Sequence, residues 1–129
     1  MYTMMETCRL TGMSYENLKY YCNEGLIPDV QRDRNNRRIF DEKNISWIRD
    51  LTCLKNCRMS IREMKDYLAL CLAGPETIPV RQEMLARKQR ELQAQLEQLE
   101  ASIHYIDWKQ QYYDDVQNGR QEYVSNLIR

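Results

Sequence analysis

The side chains able to do chemistry fall into three groups. The first is five cysteines, at positions 8, 22, 53, 57 and 71. The number is odd and no charged-then-apolar leader precedes them, so reduced thiols are expected rather than a disulfide framework. Cys53 and Cys57 stand four apart and offer two thiolates on one helix face. Two ligands without a third or fourth do not make a zinc site. His104, the only histidine, is expected on an exposed face rather than as a ligand. The second group is Arg32, Arg34, Arg37 and Arg38, set against the single acidic Asp33. The third is Ser14, Tyr15, Asn17, Lys19, Tyr20 and Tyr21. These are short polar, basic or phenolic side chains that donate to phosphates or read base edges. A phosphate-binding glycine loop, a discernible pair of catalytic carboxylates and a Cys-x-x-Cys are all missing from the sequence. Neither an enzyme, a metal site nor a cofactor is expected.

Local signals say which elements hold these groups. Thr3 with Glu6 forms a capping box for a helix from Met4 to about Thr11. Gly12 stops it with an inexpensive left-handed turn. Ser14 caps a second helix, Tyr15 to about Glu24, ended by Gly25. Cys8, Gly12 and Leu18 supply the small residue, the turn and the apolar anchor of a helix-turn-helix. The segment from Val30 to Phe40 reads as a small hairpin around Asn35-Asn36, because asparagine tolerates positive φ. Asp41 caps a third helix to about Asn56, with Ile45, Ile48, Leu51 and Leu54 on its apolar face and Trp47 adjoining. Ser60 with Glu63 opens a fourth to about Ala73, lined by Ile61, Met64, Leu68, Cys71 and Leu72. A hairpin bearing arginines directly after a helix-turn-helix is what a winged DNA-binding domain needs to grip flanking phosphates.

Gly74-Pro75 and Pro79 break the composition, and Thr77 to Gln117 then holds no glycine. Positions 78, 85, 92, 99, 106 and 113 are Ile, Leu, Leu, Leu, Ile and Tyr. A seven-residue apolar repeat implies a helix packed lengthwise on another helix. About 40 residues make a rod of roughly 60 Å, longer than the preceding residues can cover. A second copy of the chain is the natural partner, with Leu85, Leu92, Leu96, Leu99, Ile103 and Ile106 as seam residues. The less demanding alternative is a helix folded back on its own chain. Gln82, Gln89 and Gln110 at the ends of the second seam suit an antiparallel pair packed tightly only in its middle. The expected division is therefore 1–75, a winged helix-turn-helix domain; 76–117, a dimerisation helix; and 118–129, a short tail.

The bulk numbers agree. The chain has 129 residues with 19 basic and 19 acidic side chains, so its net charge is zero. Uniform coating of nucleic acid is excluded, and any contact must use a local patch. No apolar run approaches the roughly 18 residues of a membrane-spanning helix.

Thr11-Gly-Met-Ser-Tyr-Glu-Asn-Leu-Lys-Tyr-Tyr21, Glu24-Gly-Leu-Ile-Pro28, Arg37-Arg-Ile-Phe-Asp41, Ile45-Ser-Trp-Ile48 and Met59-Ser-Ile-Arg-Glu63 together resemble the MerR family of bacterial transcription regulators. The resemblance runs the length of the chain. It implies a mainly α fold in which a winged helix-turn-helix is followed by an antiparallel coiled coil joining a homodimer. It further implies a pseudo-palindromic site on double-stranded promoter DNA, bent and untwisted so that RNA polymerase engages both promoter elements. Tyr20 and Arg38 match the family's phosphate-contacting tyrosine and wing arginine. Lys19 stands where arginine is usual, keeping the charge but losing the bidentate fork. Cys22 replaces an acidic residue, Asn36-Arg37 a Gly-Tyr or Gly-Ile of the wing, and Cys57-Arg58 an Asn-Ala-Gly-like turn. The roughly dozen residues after Gln117 are too few for a drug-binding domain, and the cysteines of metal-sensing members are missing from the end of the dimer helix. Cys53, in Leu51-Thr-Cys-Leu-Lys55, matches the single cysteine of the aldehyde- and electrophile-responsive (NmlR/AdhR-like) branch. Lys55 and Arg58 are candidates to favour its thiolate; burial as a small hydrophobe is the competing role.

The expected function is thus a dimeric, sequence-specific DNA-binding regulator, cytoplasmic and nucleoid-associated, with Ser14, Tyr15, Asn17, Lys19, Tyr20, Arg34, Arg37 and Arg38 on DNA and Cys53 as a possible thiol sensor. The alternative is a coiled-coil interaction protein that keeps the domain without reading DNA.

Overall fold

The computed structural model describes residues 1–128. Its helices are α1 (Met4–Thr11), α2 (Tyr15–Asn23), α3 (Glu42–Asn56), α4 (Ile61–Ala73) and α5 (Ile78–Gln117), with strands β1 (Gln31–Arg32) and β2 (Arg38–Ile39) between α2 and α3. A single 3-10 turn, Pro75–Thr77, joins α4 to α5. The fold is mainly helical with a small wing and a long last helix, as the sequence predicts. Both expected capping boxes form, and a third joins Asp41 to Asn44 at the start of α3. Gly12 closes α1 at φ 76°, a backbone angle that a side chain would strain.

The chain divides into two compact units, residues 1–88 and 89–129. In the first, Leu18, Leu26, Phe40, Ile48 and Leu51 are fully buried and gather the elements onto one core. Ile45, Ile48, Leu51 and Leu54 all face it from α3. Cys8 is half-buried against the same core, the helix-packing role expected of it. Polar ties reinforce the assembly. The Trp47 indole N–H donates to the Leu26 carbonyl at 2.7 Å, the Asn44 amide to Pro28 at 2.9 Å, and Arg49 to the last turn of α1 at Leu10.

One expectation on this unit changes. Leu72 does not join the apolar side of α4: it is 65% exposed, because Met64 and Leu68 already cover the core and the helix ends one residue later. The unit also runs past the Gly74-Pro75 break. Arg81, on the first turns of α5, donates to the Gly74 carbonyl at 2.6 Å and to the Thr77 hydroxyl at 2.9 Å, while Lys88 pairs with Glu63 at 2.9 Å. Free carbonyls at the end of α4 need donors, and the start of α5 supplies them.

In the second unit the last turns of α5 are followed by a tail that turns at Gly119 (φ 74°). The Val124 backbone N–H donates to the Tyr112 hydroxyl at 2.9 Å, and Arg120 pairs with Asp115 at 3.0 Å. Lys109 lies 5.5–5.6 Å from the rings of Trp108, Tyr112 and Tyr113. That cluster sets Trp108 and Tyr112, which the seven-residue count passes over, beside Tyr113, which it includes. Within the tail, Arg129 lies outside the described residues.

Candidate nucleic-acid interface

The second helix of the helix-turn-helix is held from beneath. Leu18 and Tyr21 bury one face of α2, so Tyr15, Lys19 and Tyr20 are left on the surface. Tyr20 is 42% exposed and meets Tyr21 edge-on, ring centres 6.1 Å apart. The buried ring thereby orients the exposed one. The Ser14 hydroxyl accepts from the Asn17 backbone N–H at 3.2 Å, which starts α2 where the turn ends. Ser14 is exposed and Asn17 half-buried.

The wing has a carboxylate at its centre. Asp33 Oδ1 accepts from the backbone N–H groups of Asn35 and Arg37, both at 2.9 Å. The Asn36 N–H donates to the Asp33 carbonyl, and Asn36 takes φ 61°. Arg32 reaches across to the Asn36 carbonyl at 2.8 Å. The loop therefore spans Asp33 to Arg37 rather than turning on Asn35-Asn36 alone, and the acidic residue among the arginines is its organiser. Beyond the two-residue strands, Tyr2 and Phe40 exchange both backbone hydrogen bonds at 2.8 Å, adding a third short segment to the wing's base. The Tyr2 hydroxyl donates to Glu42. None of these long-range ties has a local sequence signal.

Helix and wing meet. The Arg38 guanidinium donates to the Asn23 side-chain oxygen at 2.7 Å, fixing β2 to the last turn of α2. A cavity of about 440 Å³ opens between the N-terminal turn of α1, α2 and the wing, and is lined by Thr3, Met4, Met5, Tyr15, Lys19, Arg32, Asp33, Arg37 and Arg38. Four cations against one carboxylate, itself engaged by backbone donors, make a recess suited to an anion such as a backbone phosphate. Tyr20 and Lys19 border a second, shallower recess with Glu16, Asn23 and Glu24. Of the expected contact residues, the larger recess brings together Tyr15, Lys19, Arg37 and Arg38. Tyr20 lies outside it, as do Ser14, Asn17 and the exposed Arg34. Thr3, Met4 and Met5 line the recess and Asn23 accepts from Arg38, placements that the sequence reading missed.

Residues 2–71 match the MerR HTH family of regulatory proteins. The chain belongs to this family. It is 30% identical over 112 residues to an HTH-type transcriptional regulator of Haemophilus influenzae, covering 87% of this chain and 83% of that one. It is 35% identical over 81 residues to the HTH-type transcriptional regulator AdhR of Bacillus subtilis, spanning 63% of this chain and 58% of AdhR. Among solved structures it resembles HiNmlR, a MerR family regulator lacking the sensor domain, bound to promoter DNA. The TM-score is 0.73 at 28% identity, over 91% of this chain and 93% of that one. A MerR family transcriptional regulator of Listeria monocytogenes gives a TM-score of 0.79 at 28% identity, over 95% and 92% of the two chains. This MerR protein is accordingly a DNA-binding transcriptional regulator, and the recess between α2 and the wing is its candidate DNA contact. No helix among the described residues is long and apolar enough to cross a membrane.

The thiols differ in setting. Cys53 is exposed and Cys8, Cys22, Cys57 and Cys71 are half-buried. Burial pushes the Cys22 thiol up, against the pull of Arg38 and Arg32, and pushes Cys8 up as well. Cys53 lines a separate cavity of about 360 Å³ with Trp47, Asp50, Leu54, Tyr67, Cys71 and Arg81. Lys55 and Arg58 do not line that cavity. His104 is exposed on α5.

Proposed function

We propose that this MerR-family regulator works as a homodimer that grips two halves of a pseudo-palindromic promoter site and distorts the duplex between them. The observation that carries the DNA half of this reading is the convergence of Tyr15, Lys19, Arg37 and Arg38 on one recess of about 440 Å³. Lys19 and Tyr15 project from the helix that enters a groove in helix-turn-helix domains, while the wing arginines meet the flanking backbone. Ser14, Asn17, Tyr20 and Arg34, which do not line that recess, are the further DNA contacts of this reading. HiNmlR, alike over nine-tenths of the chain, was solved on promoter DNA.

The dimer half rests on α5. Leu96 is 48% exposed, Ile103 57% and Ile106 56%, with Leu85 and Leu99 similarly open and Leu92 half-buried. An apolar stripe of this length left in water costs far more than packing it on a second copy, and an antiparallel pair uses the same stripe twice. Two recesses fixed by one rod then impose a spacing on the DNA, which the duplex meets by deforming. Output to RNA polymerase runs through that deformation, in the cytoplasm at the nucleoid. Cys53 is the proposed thiol sensor for electrophilic or oxidative stress, on the strength of its exposure and its place in a cavity wall.

Footprinting on the DNA adjoining the coding region, with titrations at several salt concentrations, tests the first half. A protected two-fold site and a steep salt slope support it. Salt-independent or absent binding would instead favour a coiled-coil interaction protein. Sedimentation tests the second: Ile103→Glu is expected to yield a monomer. The thiol reading requires that Cys53→Ser abolish the transcriptional response to electrophiles while leaving DNA affinity intact.

A further inference from the structure

Asp33, Glu24 and Glu16 are the carboxylates that line the two recesses beside α2. Two of them are engaged by the fold. Asp33 accepts from the backbone N–H groups of Asn35 and Arg37, and Glu24 from the Lys65 ammonium at 2.8 Å. Glu16 makes no hydrogen bond or ion pair among the described residues. Lys19, three residues on and within reach of such a pair, makes none with it and lines the recess shared with the wing arginines. Glu16 is exposed in the first turn of α2. Tyr20 and Asn23 follow it at four and seven residues along one side of the helix, and all three line the shallower recess.

The unpaired N–H groups of that first turn favour an ionised carboxylate. Against a duplex its charge is repelled by every phosphate, and only a hydrogen-bond donor offsets the repulsion. In the major groove the donors are the amino groups of adenine and cytosine. Adenine sets the acceptor N7 beside its amino group, whereas cytosine presents the amino group alone.

We propose that Glu16 is a specificity-determining residue that accepts a hydrogen bond from the N4 amino group of one cytosine in each half-site. The proposal deepens the DNA-binding reading and rests on it: α2 enters the major groove with its first turn toward the bases, as the second helix of a helix-turn-helix does. The carboxylate then acts twice. It rewards cytosine and is repelled by the O4 of thymine at the same place. On every other sequence it subtracts from the attraction between phosphates and Lys19, Arg37 and Arg38, holding down binding away from the site.

The test is selection from a random-sequence duplex library with the full-length wild-type, Glu16→Ala and Glu16→Gln proteins. Each is then titrated on the duplex selected by the wild type, and on one whose cytosine is replaced by thymine in a single half-site. The wild type is expected to lose roughly tenfold in affinity on that replacement, the worth of one hydrogen bond to a charged acceptor. N4-methylcytosine at the same position should produce a similar loss. Glu16→Ala should bind all three duplexes alike and random-sequence duplex more tightly than the wild type does. Glu16→Gln keeps the shape, and its amide N–H donates to thymine O4, so it too should lose the discrimination. Discrimination retained by either folded variant overturns the proposal. So does a wild-type site without a cytosine common to both half-sites. Both results leave DNA binding itself standing; a wild-type protein that enriches no duplex and shows no salt-dependent binding removes the reading beneath as well.

Discussion

Arg38 and Asn23 join the wing to α2 through one charged hydrogen bond of 2.7 Å. Arg38 is half-buried, unlike its exposed neighbours Arg34 and Arg37. The bond leaves Arg38 donors to spare, so the residue can brace the wing and still meet a phosphate.

The two partners therefore separate in their effects. Arg38→Ala is expected to weaken DNA binding at every sequence and to reduce the salt slope by about 1. Asn23→Ala should weaken binding less and leave the slope unchanged, because it loosens an arginine without removing a charge. Titrations at three or more salt concentrations read both numbers. Equal slopes for Arg38→Ala and wild type would remove Arg38 from the phosphate contacts.

Asp33 makes a counterintuitive case. If the wing meets DNA as proposed, removing an acidic residue from it should help binding on charge alone. Yet its carboxylate accepts from two backbone N–H groups that hold the loop. Asp33→Ala is expected to destabilise the protein by about 1 kcal/mol and to weaken DNA binding through a disordered wing. Asp33→Asn, which keeps an acceptor, should retain most of both. Chemical denaturation and a promoter gel-shift would check this, and tighter binding by the alanine variant would mean that charge outweighs order.

Glu63 gives a pH signature. The Ser60 backbone N–H, and then the Lys88 ammonium, hold its carboxyl below the usual carboxylate range. A depressed native value means stability that is present above the unfolded-state value of about 4.3 and lost as the pH falls through the native one. Glu63→Gln should lower the melting temperature at neutral pH. The gap to wild type should close on acidification below about pH 4. A gap constant from neutral to acid would show that the charge on Glu63 contributes nothing.

Arg58 occupies a position built for glycine. It sits at φ 63° just after α3, and the Met59 N–H closes back on the Leu54 carbonyl at 3.2 Å. A side chain in the left-handed region costs about 1–2 kcal/mol. Arg58→Gly is expected to raise stability by about 1 kcal/mol, the remainder being lost to the freer unfolded chain. Urea melts decide it, and a less stable glycine variant would show that the contacts of the arginine side chain outweigh the strain.

How much of this is legible in the sequence depends on the range of the interaction. Thr3 and Glu6, Ser60 and Glu63, and Gly12 act within four residues, so the boundaries of α1, α2 and α4 follow from local chemistry. The spacing of Ile45, Ile48, Leu51 and Leu54 names the buried face of α3 for the same reason. Leu72 misleads because periodicity says which face a residue is on, not whether the core still extends beneath it. The candidate site divides similarly. The arginines are visible as composition, while Asp33 acts through backbone groups that composition does not register.

The chain by itself determined the helices, their caps, the basic hairpin and the apolar stripe of α5, since each is fixed by neighbours a turn or two away. Only the tertiary structure decided that Tyr2 pairs with Phe40, that Arg38 reaches Asn23, and that Arg81 closes α4 while lining the Cys53 cavity. These partners are up to 38 residues apart in sequence, and no local preference selects them. They meet because burying Leu18, Phe40, Ile48 and Leu51 in one core leaves their backbones nowhere else to be.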